Sequence, residues 1–302
     1  MNITLIGYGE VGRILAEDLR AAQHAVTVFD LKLSGDAGPA MRTHAAQYGV
    51  ALAPTHADAV READLTICAV TASQTLAAAK ACAGALKPDS FYLDFNSASP
   101  GAKIAAATLV DATGARYVEA AVMNSIPPPR IKVPLLLGGA HAMALLPLLH
   151  TLGFVAKVAS TQLGVASATK MCRSVMIKGL EAMVIESFTT ARHYGVEDAV
   201  IASLQETFPT IDWEKQGAYL FQRVIEHGRR RAEEVREVAV TVREAGLEPF
   251  SAAGTAQRQT FIADLADVQV FGARGSAGFA RSADWRIEAD RLLTHLKTPH
   301  EL

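Results

Sequence analysis

Apolar positions follow two different rhythms along this chain. Up to about residue 160, short β-branched and aliphatic runs at 2–7, 25–30, 65–70, 90–95, 116–122 and 132–139 read as strands. Alanine-rich stretches of helical period fill the intervals at 11–22, 37–48, 74–86 and 100–112. Strands separated by helical crossovers lie parallel, which predicts an open α/β sheet. From Gly164 onward the period changes: long helical patterns cover 165–194, 197–206, 212–245 and 283–297, and strand patterns almost vanish. The expected organisation is a sheet domain over residues 1–160 followed by an all-helical domain over 161–302.

Composition narrows the function classes. The chain has 302 residues, half of them hydrophobic, which is enough for two cores without disulfide or metal support. Lysine and arginine number 29 against 31 acidic residues, so the net charge of -2 offers no broad field to attract nucleic acid or an anionic membrane. Small charged ligands remain open as partners. The 3 cysteines, Cys68, Cys82 and Cys172, are widely spaced without a CxxC pair, which fits a reducing compartment and argues against a disulfide framework or a zinc site. No metal is expected. The opening residues run straight into a strand pattern without a basic leader, and the apolar run from Pro134 is broken by His141, Pro147, His150 and several glycines. A cytoplasmic protein without a membrane role is the expectation.

The sharpest local signal is GYGEVG, with Gly7, Gly9 and Gly12 placed after an apolar strand and before a helical pattern. In a GxGxxG turn the first glycine permits the tight turn, the second admits a pyrophosphate, and the third lets helix and strand pack closely. The free N–H groups and positive dipole end of the helix then face the phosphates. The fold expected is therefore a Rossmann-type, mainly parallel sheet with an all-α C-terminal domain. Asp30 closes the second strand, where a carboxylate accepts bonds from ribose hydroxyls and repels an extra phosphate, favouring NAD over NADP. A turn-forming Asp is the competing reading, and Lys32 would offset the repulsion, so NADP stays open. The cofactor-facing set is Gly7, Tyr8, Gly9, Glu10, Val11, Gly12 and Asp30, with Val70, Thr71 and Asn96 at later strand ends.

Two further loops leave carboxyl ends of strands, the side on which open α/β sheets bind ligands. LDFNSASPG (93–101) offers Asn96, Ser97 and Ser99, either as ligands or as an N-cap and turn before the helix beginning at Pro100. RYVEAAVMNSIPPPR ends on Asn124 and Ser125 before three prolines, which stiffen the loop. On the helix after Gly164, TKMCRSVMIK places Lys170, Ser174 and Lys178 along one stripe. By spacing alone these lysines are either snorkelling surface groups or proton carriers tuned by burial and by neighbouring cations.

Taken in order, the GxGxxG, the D-x-N-S loop, the strand leading to a substrate loop, the GG-ended strand and the lysine helix resemble the β-hydroxyacid dehydrogenases. This is the family of 3-hydroxyisobutyrate and 6-phosphogluconate dehydrogenases, and the resemblance points to a divergent phosphogluconate-dehydrogenase-like branch. It implies an NAD(P)-dependent oxidoreductase on a small hydroxy acid or sugar acid, with Lys170 as general acid/base. Asn96, Ser97, Asn124, Ser125 and Ser174 would orient an anionic substrate, with Lys178 beside them.

The sequence departs from the family in two places. Ser174 stands where the family keeps an asparagine, and Met123, Asn124 and Ser125 stand where it keeps Ser-Gly-Gly. Family members are commonly dimers or larger, so HGRRRAEEVREVA is either a solvated charged face or an anion clamp using His227 and Arg230. An imine or ketimine reductase on the same scaffold and a non-catalytic nicotinamide-binding sensor are the alternative functions.

Overall fold

The computed structural model describes residues 1–280 and 282–297. The first half alternates as its apolar rhythm predicts, through β1 (Asn2–Ile6), α1 (Glu10–Ala21), β2 (Ala25–Phe29), α2 (Gly38–Tyr48), β3 (Ala51–Leu52), α3 (His56–Val60), β4 (Leu65–Cys68) and α4 (Thr75–Ala83). It continues with β5 (Phe91–Asp94), α5 (Pro100–Asp111), β6 (Arg116–Val122), β7 (Pro134–Gly138), α6 (Ala142–Thr151) and β8 (Val155–Ser160). All eight strands join one sheet in the order β3-β2-β1-β4-β5-β6-β7-β8. Every neighbouring pair is parallel except β6 with β7.

From β1 the chain works outward through β2 to β3, then returns to lay β4 on the other side of β1. Such a reversal leaves a crevice at the carboxyl ends of the two central strands, where ligands bind. Central strands are covered on both faces: Leu5, Val28 and Leu93 belong to one apolar cluster, and Ile6, Cys68 and Tyr92 to another. That is why their sequences read as nearly unbroken apolar runs rather than alternating ones.

The second half is helical, with α7 (Val165–Tyr194), α8 (Glu197–Thr207), α9 (Trp213–Glu244), α10 (Phe250–Asp267) and α11 (Trp285–Lys297). Two compact units result, Met1–Cys172 and Arg173–Leu302, divided within α7. The sequence-based division at residue 160 coincides with the end of β8, whereas the first turns of α7 belong with the sheet. The Gly164 and Ala166 N–H groups donate to Glu119 of β6 at 2.8 and 3.2 Å, and Ala166 packs on Ala121 and Leu136. In the helical unit, Phe188 lies between Trp213 and Trp285, with Phe221, Val224 and Ile262 completing the core.

Five elements escape a reading by hydrophobic period. The α3 helix and β3 are too short to show one, and β8 is an edge strand whose exposure alternates along VAKVAS. The α10 helix buries Ala252, Thr255, Ala256, Gln259 and Ala263, a face too small and polar to register as hydrophobic. Small residues are needed there because α9 comes very close: a Cβ on Gly228 would meet the Gln259 carbonyl oxygen at 2.9 Å. The α6 helix carries Pro147 in its interior, which masks its helical period.

Candidate functional site

The glycine turn has the local geometry its spacing predicts. Gly7 adopts φ 102°, in the left-handed region that side chains disfavour, and a Cβ there would strike the Ala69 carbonyl oxygen. A Cβ on Gly12 would strike the Gly7 carbonyl oxygen, so this glycine brings α1 against its own turn. Gly9 is different, because a Cβ there would meet nothing within 4 Å. It is the N-cap of α1 and supplies no side-chain cap, so the N–H groups of the first turn keep their donor capacity. Open space above the middle glycine, together with uncapped donors at a positive helix end, fits a dinucleotide pyrophosphate. Glu10 is exposed and Val11 half-buried on that turn.

Tyr8 points the other way and is fully buried. Its N–H donates to Asp30 Oδ2 at 2.7 Å, while Asp30 Oδ1 accepts from the Lys32 N–H at 2.8 Å. The carboxylate is thus held at the end of β2 by two backbone donors, and it caps the short 3₁₀ turn Leu31–Ser34. Each oxygen retains a lone pair, so capping the turn and accepting from a ribose are compatible.

At the end of β4, the Val70 N–H donates to Asn96 Oδ1 at 2.7 Å, and Asn96 Nδ2 reaches Cys68 Sγ at 3.3 Å. Asn96 is 4% exposed. Its side chain therefore braces the Val70–Thr71 segment against the loop after β5, and exposed Thr71 follows directly. In that loop Ser99 caps α5 by accepting from the Ala102 N–H at 3.3 Å. Ser97 instead meets the lysine helix: Lys170 Nζ donates to Ser97 Oγ at 2.5 Å. Both are half-buried, so the pair is reachable by solvent and by a small ligand.

Several residues that set this geometry carry no motif. Asp94, fully buried at the end of β5, accepts from Lys103 Nζ at 2.9 Å, from the Asn96 N–H at 2.8 Å and from the Tyr117 hydroxyl at 2.7 Å. Lys103 is 1% exposed and also donates to the Asp94 carbonyl oxygen at 2.9 Å, closing a ring of charge around the loop that holds Ser97. Burial and the adjacent Asp94 carboxylate push the Tyr117 phenol well above its ordinary range, so it stays a donor. Glu119, cross-strand from Asp94, is also fully buried and caps the start of α7 through Oε1. Gly138 makes room for that carboxylate, which a Cβ at 138 would overlap. A lysine among alanines on α5, opposite a strand-end aspartate, was the only sequence trace of this arrangement.

Asn124 and Ser125 are exposed on the loop between β6 and β7, which includes a cis Pro127–Pro128 bond.

In the helical unit, Ser174 is 7% exposed, and Lys178 Nζ donates to Glu234 Oε2 at 2.6 Å. Burial holds the Lys178 pKa below its ordinary value, although Glu234 opposes the shift. Arg230 donates to the other oxygen of Glu234 at 2.9 Å, so the two candidate cations share one carboxylate. His227 is partly exposed, its pKa lowered by burial and by arginines 223, 230 and 231 despite Glu226. The three consecutive arginines diverge as a helix requires. Arg229 pairs with Asp264 and Asp267, and Arg231 turns inward to Glu181, which also accepts from Gln259 at 3.1 Å.

Two family descriptions match separate stretches of the chain. Residues 2–141 match the family described as the NAD binding domain of 6-phosphogluconate dehydrogenase, and residues 191–262 match a domain of unknown function, DUF1932. A conserved hypothetical protein from Sinorhizobium meliloti is 31% identical, with 97% of this chain and 96% of that one covered and a TM-score of 0.75. A second conserved protein, whose structure is described as similar to 3-hydroxyacid dehydrogenases, is 27% identical over 89% of this chain and 98% of its own, with a TM-score of 0.69. The Mycobacterium tuberculosis 3-hydroxyisobutyrate dehydrogenase, solved with L-serine, shares the fold at 17% identity, 96% and 98% coverage and a TM-score of 0.68. Among the described residues no helix is long and apolar enough to cross a membrane.

Proposed function

We propose, from the premise that this chain belongs to the β-hydroxyacid dehydrogenase family, that it is a nicotinamide-dependent oxidoreductase interconverting a small hydroxy acid or sugar acid and its oxo form. The observation that carries the reading is the Lys170–Ser97 pair at 2.5 Å, held by the same sheet unit that presents the glycine turn. The first-turn N–H groups of α1 would hold the pyrophosphate and Asp30 the ribose, with NAD preferred because a carboxylate opposes an added phosphate. When bound, the nicotinamide accepts or donates the hydride.

The chain's own part is placement and proton transfer. As a hydroxy acid is oxidised, its O–H proton passes to Lys170 Nζ; as an oxo acid is reduced, Nζ returns that proton to the forming alkoxide oxygen. Ser97 Oγ accepts from Nζ and fixes its direction. Asn124 and Ser125 supply polar groups for the acid end, and Lys178 with Arg230 are the candidate cations of the helical unit. A homodimer or larger assembly is the expected working state.

Absorbance change with NAD(H) and NADP(H) over a panel of hydroxy acids, oxo acids and imines tests the proposal. Turnover of an acid supports it, turnover of imines alone favours the reductive-amination alternative, and NADH binding with no turnover across the panel favours a sensor. A second expectation separates fold from ligand binding at the glycine turn. Gly9→Ala adds a methyl into open space, so its melting temperature should match wild type while NADH affinity falls by about tenfold or more, because the pyrophosphate needs that space. Unchanged NADH affinity, read by tyrosine- or ligand-fluorescence titration, would remove the turn from the cofactor site.

A further inference from the structure

We propose that Arg130 is a positioning residue that ties the loop between β6 and β7 to the dinucleotide-binding turn, so that a bound dinucleotide also orders the loop carrying Asn124 and Ser125. The inference rests on the oxidoreductase reading of those two segments.

Arg130 sits at φ 56°, a left-handed conformation unfavourable for a residue with a side chain. Such a backbone persists where surrounding contacts over-determine it, and they do so here. Arg130 Nε donates to Asp18 Oδ1 at 2.8 Å and its Nη2 donates to Glu17 Oε2 at 2.7 Å, while the Ile131 N–H donates to Asp18 Oδ2 at 3.1 Å. One carboxylate of α1 therefore grips both the guanidinium and the next peptide. The pairing is charge-assisted and forked, a geometry that lysine does not reproduce.

From Glu17 the connection continues to the glycine turn. Glu17 Oε1 lies 2.9 Å from His44 Nε2, and His44 Nδ1 lies 2.7 Å from the Tyr8 hydroxyl. A carboxylate only accepts, so His44 carries its N–H at Nε2, and in the neutral ring Nδ1 accepts from Tyr8. Burial would raise the Glu17 pKa, but the bonds from His44 and Arg130 outweigh it and hold the carboxyl below its usual range. Burial pushes the Tyr8 phenol up to about 12, which keeps it a donor. Tyr8 is the second residue of GYGEVG, and its N–H holds Asp30. One chain of bonds thus runs from Asp30 through Tyr8, His44 and Glu17 to Arg130. A ligand that pins the first turn of α1 restrains the loop chiefly through the Arg130 guanidinium, the Ile131 N–H adding one backbone bond to Asp18, which makes the coupling a measurable property of this residue.

Amide hydrogen exchange of the full chain, with and without NADH, provides the test. In wild type, NADH should slow exchange by about tenfold in residues 7–20 and also in residues 123–133. Arg130→Ala and Arg130→Gly should keep the protection of 7–20 and lose that of 123–133. Glycine tolerates the left-handed backbone, so the second variant separates loss of the guanidinium from relief of strain. Arg130→Lys should recover part of the loop protection. Loop protection that survives in both the Ala and Gly variants overturns the proposal, as does a wild-type loop that stays unprotected while 7–20 is protected. Protection of neither segment removes the dinucleotide reading itself, and this proposal with it.

Discussion

Replacing Lys170 by Met should lower kcat by about 10²–10⁴-fold, the usual contribution of a positioned acid/base, while leaving NADH affinity within about twofold of wild type. Methionine preserves most of the aliphatic stem and removes only the group that donates to Ser97 Oγ. The expected cofactor contacts are the first-turn N–H groups of α1 and the Asp30 carboxylate, which the Tyr8 and Lys32 N–H groups hold in place, so NADH affinity should stay near wild type. Ser97→Ala should act in the same direction with a smaller effect. A hydrogen bond to a charged group is worth about 1.5–3 kcal/mol, or roughly 10- to 100-fold if it is spent wholly on orienting Nζ in the transition state. Stopped-flow or steady-state turnover on the best acid of the panel, beside NADH titration, measures both. A Lys170→Met variant with wild-type kcat would sink the assignment of the proton carrier, whatever the substrate.

The largest effect on stability is expected at Lys103. Lys103→Met leaves the Asp94 carboxylate fully buried with its cation gone, held by the neutral Tyr117 hydroxyl and Asn96 N–H donors. Removing one member of a buried ion pair costs about 3–5 kcal/mol, because the remaining charge stays desolvated without compensation. With a urea dependence of about 1–3 kcal/mol per molar, the midpoint followed by circular dichroism should fall by roughly 1 M or more. Asp94→Asn combined with Lys103→Met removes both charges and should recover much of that loss. A midpoint that does not move in the single variant would mean that the pair is hydrated in solution and does not set the loop. Turnover should fall as well, since the Asp94–Lys103 ring anchors the segment that presents Ser97.

What could be read in advance was what neighbouring residues decide among themselves. GYGEVG is legible because a tight turn, a close pyrophosphate and a strand–helix contact each demand a glycine at a fixed offset, and the offsets are local. Motif order singled out Lys170, whose Nζ the structure sets beside Ser97, and the charged stretch 229–231 was legible as divergent because consecutive helix positions cannot share a face. The LDFNSASPG loop left its roles open, and the structure distributes them: Ser99 caps, Asn96 braces Val70, and Ser97 meets Lys170. The Ser99 cap before Pro100 follows a local pattern, whereas Asn96 and Ser97 could not be assigned within the loop because their partners lie on other elements.

The sequence by itself determined the order of elements, the position of the dinucleotide turn and the change to helices after the sheet, because backbone propensity and hydrophobic period act over a few residues. Tertiary structure alone decided the polar interior. Asp94 with Lys103 joins a strand end to the helix that follows it, while Glu119 with the start of α7 and the half-exposed Arg130 with Glu17 and Asp18 join residues far apart in sequence. A charged residue in a sequence reads as surface until a partner is found for it. Burial strengthens such a charge's interactions and makes its isolation costly, and only the fold supplies that partner.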